Sequence, residues 1–141
     1  MRLIILEKSG SRTLAYVTDP DAPEGVSIIA FLRNRPGDQE ASARGFKSLF
    51  KRYVELGRQG LTVELFHEAD AKEAIWEFIK GRLRCFCFMD NPEHLTILTH
   101  GVVKKTPKAN RQEVATAVAI KKRYLAAKAE GTLTIMRSEH E

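Results

Sequence analysis

The sequence predicts an α+β fold, in which an antiparallel β-sheet packs against N-terminal helices and is followed by a C-terminal helix. Three short apolar runs separated by turn residues lie in the second half of the chain, an apolar stripe with helical spacing precedes them, and an amphipathic stretch follows them. The chain has 141 residues, of which 43% are hydrophobic and 29% charged, as is ordinary for a soluble globular protein. We therefore expect a single domain over residues 1–141.

The sheet is predicted from three consecutive strands at residues 75–79, 83–89 and 95–100. The second of these runs has apolar side chains on both faces, which suits a central strand. Residues 80–82 form a tight connection, and residues 90–93 are a turn by composition.

The N-terminal half contains further candidate elements. Residues 2–7 and 12–18 predict a hairpin around a Gly-containing turn. Residues 26–33 are ambiguous between a strand and a short helix. Residues 61–66 are either a strand or extended chain, and residues 67–72 are polar and typical of a loop.

A longer helix is predicted from Asp38, a candidate N-cap, to about Gly57. Its apolar stripe consists of Phe46, Leu49, Phe50, Tyr53 and Leu56. We expect this stripe to share one core with strand residues Trp76, Phe86, Phe88 and Leu98. The basic residues of the helix could be a second nucleic-acid contact, but the stronger interpretation is a solvated face: Arg44, Lys47, Lys51, Arg52 and Arg58.

The C-terminal helix is predicted to begin with a capping box formed by Asn110 and Glu113 and to run to about Lys128. Its apolar side is supplied by Val114, Ala117, Val118, Ile120, Tyr124 and Leu125. Several alternatives are left for the C-terminal residues. Residues 132–136 could add a strand or dock on a partner, and residues 132–141 could form a flexible tail.

The net charge of +5 is placed unevenly along the chain. Residues 1–100 hold 14 Lys and Arg against 14 Asp and Glu, whereas residues 101–141 hold 9 against 4. Because the whole excess follows the third predicted strand, nucleic acid is the natural partner of that surface. The alternative is that these cations only solvate a helix face.

The two cysteines, Cys85 and Cys87, lie two residues apart on one face of one predicted strand, where a mutual disulfide is geometrically poor. The spacing is a weak metal signal, and we interpret both as small buried side chains. No apolar run approaches membrane-spanning length, and the N-terminal apolar stretch is too short for a signal peptide. We therefore expect a cytoplasmic protein with no membrane partner.

Several residues carry a resemblance to a known family. Trp76 and Glu77 precede a turn, Arg84 opens an apolar strand, and the last strand leads into the run from His100 to Pro107, which contains two adjacent lysines. This pattern resembles the phage-derived HigB-like toxins of the RelE/ParE superfamily of toxin–antitoxin systems. It covers about half the chain and also favours the helical interpretation of residues 26–33.

The resemblance implies a RelE/ParE-like sheet and the function of a toxin of a type II toxin–antitoxin system. Such a toxin is expected to be a metal-independent endoribonuclease that cleaves mRNA on the ribosome and needs no cofactor. Its expected partners are the ribosome, mRNA and a cognate antitoxin, expected to be a helix-turn-helix protein. Several RelE relatives carry a tyrosine soon after the basic loop. Here the nearest downstream tyrosine is Tyr124, which the helical pattern places in the core.

The candidate catalytic residues are Arg84, His100, Lys104 and Lys105. Arginine pairs with two phosphate oxygens, lysine holds phosphate and can shuttle a proton, and histidine is an acid or base near neutral pH. Two alternatives remain open: Arg84 pairs only with Glu77, and His100 is a structural hydrogen-bonding group at the end of a strand.

Further cations are predicted to bind RNA, namely Arg82, Lys108, Arg111, Lys121, Lys122 and Arg123. No metal site is predicted, and His67 and His94 lie in loop-like stretches without a partner pattern. Two other function classes remain: a ParE-like toxin that inhibits DNA gyrase without cutting RNA, and a non-toxic phage-derived interaction module.

Overall fold

The computed structural model describes residues 1–19, 27–91, 94–106 and 111–137. Within these ranges the strands are β1 (Arg2–Ser9), β2 (Arg12–Thr18), β3 (Phe66–Asp70), β4 (Ile75–Lys80), β5 (Leu83–Asp90), β6 (Leu95–Val103) and β7 (Thr134–Arg137). The helices are α1 (Ile28–Arg33), α2 (Glu40–Leu56) and α3 (Arg111–Glu130). None of these helices is long and apolar enough to cross a membrane.

The described strands form one mixed sheet in the order β3-β4-β5-β6-β2-β1-β7. The pairs from β3 to β6 and the β1–β2 hairpin are antiparallel, whereas β2 pairs with β6 and β1 with β7 in parallel. The α+β class is thus confirmed, but the expectation of a purely antiparallel sheet is wrong. Its parallel pairs join segments far apart in the chain, and the side-chain alternation of single strands does not specify such partners.

Buried side chains of the described residues form two clusters, one on each face of the sheet. The first packs α1 and α2 against one face and includes Phe46, Leu49, Phe50, Tyr53 and Leu98. The second packs α3 against the other face and includes Phe86, Phe88, Ala117, Ile120 and Tyr124. Leu98 and Trp76 share a core with the α2 stripe as expected, but Phe86 and Phe88 do not. The expectation of a single core fails for these two because successive residues of β5 face opposite sides of a sheet that is covered on both.

The stripe of α2 is confirmed as core, except that Leu56 at its end is 53% exposed. On α3 the corresponding exception is Leu125, which is 47% exposed. Asp38 lies in a short 3₁₀ turn, so the residue preceding α2 is Gln39. The capping residue predicted for α3, Asn110, lies outside the described residues.

Three ambiguous stretches are resolved. Ile28–Arg33 is helical, with Ser27 accepting a hydrogen bond from the Ala30 amide at 3.2 Å, as an N-cap does. β3 covers Phe66–Asp70, so of residues 61–66 only Phe66 lies in a strand, and the interpretation of residues 67–72 as a loop is wrong for residues 67–70. The C-terminal stretch does add a strand, because Thr134–Arg137 pairs with β1, and residues 138–141 lie outside the described ones.

Cys85 and Cys87 are both buried and free, on the face of the sheet that packs against α2. Burial raises the pKa of both thiols. Their interpretation as small core residues is confirmed.

Two hydrogen bonds fasten α3 to the C-terminal end of β5. The Tyr124 hydroxyl and the Lys128 ammonium donate to Oδ2 of Asp90 at 2.7 and 2.8 Å. Burial alone would raise the pKa of Asp90, but the hydrogen bonds from Lys128 and Tyr124 outweigh burial and lower it. The carboxylate therefore stays charged and holds one end of the helix on the sheet.

Candidate nucleic-acid interface

A cleft of about 980 Å³ lies between α3 and the β3–β4 side of the sheet. Its floor includes Glu77, Arg84, Phe86 and Val102 from three adjacent strands. The opposite wall is one face of α3, formed by Arg111, Val114, Ala115, Val118, Ala119 and Lys122. Helical spacing of three to four residues brings these side chains onto the same face.

Five Lys and Arg side chains among the described residues line this cleft: Arg84, Lys104, Lys105, Arg111 and Lys122. They come from the start of β5, the segment after β6 and two separate turns of α3. The sequence predicted all five as site residues, and the fold brings them together. Four carboxylates line the same cleft, namely Glu68, Asp70, Glu73 and Glu77, so the positive charge is concentrated on the side formed by α3 and the segment after β6. That side of a concave surface attracts polyanions.

Of the four other predicted RNA-binding residues, the three that the structure describes do not line this cleft. Arg82 pairs with Asp38 at 2.9 Å, and Lys121 donates to the Glu73 carbonyl at 3.0 Å. Arg123 lies 3.6 Å from a carboxylate oxygen of Asp19, beside a separate cavity of about 390 Å³. The run from Lys121 to Arg123 is split because consecutive helix residues point about 100° apart. The fourth, Lys108, lies outside the described residues.

Arg84 is held in place by groups around it. Its Nη1 donates to the carbonyls of Gly81 and Leu83 at 2.9 and 3.0 Å, and its Nε lies 3.4 Å from Oε1 of Glu77. Partial burial lowers the pKa of the guanidinium, and the charge of Glu77 opposes that shift. The predicted pairing of Arg84 with Glu77 therefore exists. It orients a cation on the cleft floor without removing that cation from the cleft.

His67 is a site residue that the sequence analysis missed. It lies on β3 directly opposite Glu77 on β4, and its Nε2 is 3.3 Å from Glu77 Oε1. Its Nδ1 lies 2.9 Å from the Val63 carbonyl oxygen. The sequence did contain the information needed. A strand that starts at Phe66 and is joined by a turn to the strand starting at residue 75 would place His67 and Glu77 side by side.

His100 lies between the sheet and α3 and is not part of the cleft lining. Its ring stacks on Phe86 with centroids 5.1 Å apart, its Nδ1 is 3.1 Å from the Thr99 hydroxyl, and its Nε2 is 3.5 Å from Oε1 of Glu113. Burial lowers the pKa of His100 to about 4 and raises that of Glu113. His100 is thus neutral at physiological pH, and this geometry fits the structural alternative.

The far edge of the cleft is acidic, with Glu68, Asp70 and Glu73 on or just after β3. The described lining contains no tyrosine, and Tyr124 is only 1% exposed, so its predicted place in the core is confirmed. Within the described residues, no group of three or more His, Cys, Asp or Glu side chains could hold a metal ion.

Comparison with known proteins finds no matching family model and no matching curated relative.

Proposed function

We propose that the protein is a metal-independent endoribonuclease that cleaves mRNA on the ribosome as the toxin of a type II toxin–antitoxin system. The observation that carries the proposal is the cleft in which five cations from separate parts of the chain face one space. A polyanionic strand is the ligand that such a surface favours.

The chemistry available there is transesterification within RNA. The ribose 2′-oxygen attacks the adjacent phosphorus, the bond to the 5′-oxygen breaks, and negative charge builds on the phosphate oxygens. Arg84 supports this step because its contacts with two carbonyls fix the guanidinium before substrate arrives. Groups that are already oriented stabilise developing charge without reorganisation.

The cleft has an acidic side and a basic side, and this distribution of charge restricts the orientation of a bound RNA strand. Phosphates are repelled by Glu68, Asp70 and Glu73 at the β3 edge and attracted to the side formed by Lys104, Lys105 and Arg111. A single strand can satisfy both conditions by turning its backbone to the basic side and its bases to the acidic side.

The assignment as a toxin rests on the resemblance of about half the chain, from Trp76 to about Lys128, to HigB-like proteins, together with the placement of Arg84, Lys104 and Lys105 in one cleft. Primer extension on mRNA from cells expressing the protein separates the functions. Cleavage predicts new 5′ ends within translated frames, whereas gyrase inhibition changes DNA supercoiling and leaves the mRNA intact.

The salt dependence of RNA binding tests the cationic side of the cleft. We expect the Lys104→Ala/Lys105→Ala double variant to bind single-stranded RNA more weakly. Its plot of log affinity against log salt should be shallower by about 1.4, because each phosphate that a lysine neutralises adds about 0.7 to the slope. The measurement is fluorescence anisotropy of labelled RNA at several salt concentrations.

The matched control is Lys47→Ala/Lys51→Ala, which removes two exposed lysines from α2 on the other side of the sheet. Its slope should equal that of the wild type. Equal slopes for the wild type and the Lys104/Lys105 double variant would place the phosphate contacts outside the cleft.

A further inference from the structure

We propose that Glu77 and His67 are the proton-transfer pair of this site, with Glu77 as general base and His67 as general acid. The inference rests on the proposed RNA cleavage and assigns the two proton transfers that the cations cannot perform. It gives catalytic roles to two residues on adjacent strands, one of which lies in a stretch that looked like a loop.

Glu77 has the position of a base. Glu77 is only 8% exposed, yet it lines the cleft beside Arg84. Two neighbouring side chains contact the same carboxylate oxygen of Glu77, Oε1. The Nε atom of Arg84 lies 3.4 Å from it and the Nε2 atom of His67 lies 3.3 Å from it. Contacts at one oxygen fix the carboxylate and leave the other oxygen available for a substrate hydroxyl.

His67 has the position of an acid. Both ring nitrogens face acceptors, Glu77 Oε1 on one side and the Val63 carbonyl on the other. A doubly protonated ring donates to both acceptors, whereas a neutral tautomer donates to only one. The side chain is 42% exposed, so the leaving oxygen of a bound RNA can reach it.

The step balances within the pair. Glu77 takes the proton of the 2′-hydroxyl, the 2′-oxygen forms a bond to phosphorus, and the bond from phosphorus to the 5′-oxygen breaks. The imidazolium of His67 gives that 5′-oxygen the proton on Nε2, the nitrogen that faces Glu77 across the cleft surface. The products are a 2′,3′-cyclic phosphate and a 5′-hydroxyl.

After the step, Glu77 carries a proton on its other oxygen, Oε2, and His67 has lost one. The starting forms return when Glu77 releases its proton to solvent and His67 takes one up from solvent. No water, metal or other reactant is consumed by the cycle.

The chain supplies a matched control for this pair. Glu113 and His100 also place a carboxylate oxygen near an imidazole Nε2, at 3.5 Å, and both side chains are largely buried. Neither residue lines the cleft among the described residues. A carboxylate–histidine contact that acts only in packing should behave alike at both positions, whereas a proton-transfer role predicts that they differ.

The experiment compares Glu77→Gln, His67→Gln and Glu113→Gln in single-turnover cleavage of ribosome-bound mRNA. The first two variants should lose about 10²–10⁴-fold in rate, as removal of a general base or acid does. Glu113→Gln should cleave at the wild-type rate. Thermal unfolding of each variant checks the fold, and the exposed edge position of His67 keeps that variant informative if Glu77→Gln is destabilised.

A second substrate separates the two roles. Sulfur in place of the bridging 5′-oxygen at the mapped cleavage site gives a leaving group that needs no proton. It should restore the rate of His67→Gln to within about tenfold of the wild type and leave Glu77→Gln slow. Wild-type protein that leaves RNA intact overturns the proposed function together with this inference. Cleavage by the wild type with undiminished rates in both variants, or no rescue of His67→Gln by sulfur, overturns this inference alone.

Discussion

Replacing Arg84 with alanine is expected to lower the single-turnover rate of mRNA cleavage on the ribosome by about 10²–10³-fold. The guanidinium is fixed by the carbonyls of Gly81 and Leu83 and lies on the cleft floor beside Glu77. Such a charge stabilises the transition state more than the bound substrate, so the loss should fall on the rate constant of cleavage more than on RNA affinity. Pre-assembled ribosome complexes saturated with the protein measure that rate constant directly.

Two further variants make this result specific. Arg84→Lys should recover only part of the rate, because an ammonium lacks the two-pronged geometry of a guanidinium. Arg44→Ala removes an exposed arginine of α2, which pairs only with Glu40 among the described residues, and should cleave normally. If Arg84→Ala cut mRNA at the wild-type rate, the cleft would not be the cleavage site.

Replacing Phe50 with alanine is expected to destabilise the protein by about 3–5 kcal/mol. Phe50 is 3% exposed and contacts Phe46 and Phe78 with ring centroids 5.5 and 5.2 Å apart. The cavity left between α2 and the sheet removes both contacts, and neither neighbour can refill it without leaving its own site. Urea unfolding, analysed by linear extrapolation, gives the free energy of unfolding.

The control for this variant is Leu56→Ala, at the exposed end of the same helix. Its free energy of unfolding should change by about 0.5 kcal/mol or less, as at other surface positions. A similarly small change for Phe50→Ala would mean that α2 does not contribute its apolar stripe to the core.

Local patterns were sufficient to predict most elements. The turns at Gly81 and Gly10 and the alternation of apolar residues predicted β1, β2, β4, β5 and β6 to within a few residues. The 3.6-residue period predicted α2 and α3 in the same way. These signals are local, because each depends on how one segment alternates between buried and exposed faces.

The sheet order and the register of β3 depend on distant segments and were not predictable in this way. β3 is an edge strand, so the polar residues His67 and Glu68 follow its one fully buried residue, Phe66, and the stretch looks like a loop. That error concealed the contact between His67 and Glu77. The two parallel pairings were missed for the same reason, since their partners lie on different parts of the chain.

The candidate site, too, was predictable from the sequence only in part. Charge and motif pointed to Arg84, Lys104, Lys105, Arg111 and Lys122, which the fold gathers in one cleft. They also pointed to His100, which α3 covers. Residue type indicates what a side chain can do, but only the packing of α3 on the sheet decides which side chains can meet a substrate.

The chemistry of the RNA ends produced by the wild-type protein is the most direct measurement of the central proposal. Translated mRNA is cleaved in a reconstituted reaction, with ribosome complexes kept intact by polyamine and divalent ions removed by a chelator. We expect every new upstream fragment to end in a 2′,3′-cyclic phosphate and every downstream fragment to begin with a 5′-hydroxyl, which polynucleotide kinase labels without prior dephosphorylation. Intact mRNA, or downstream fragments that begin with a 5′-phosphate, would contradict the account.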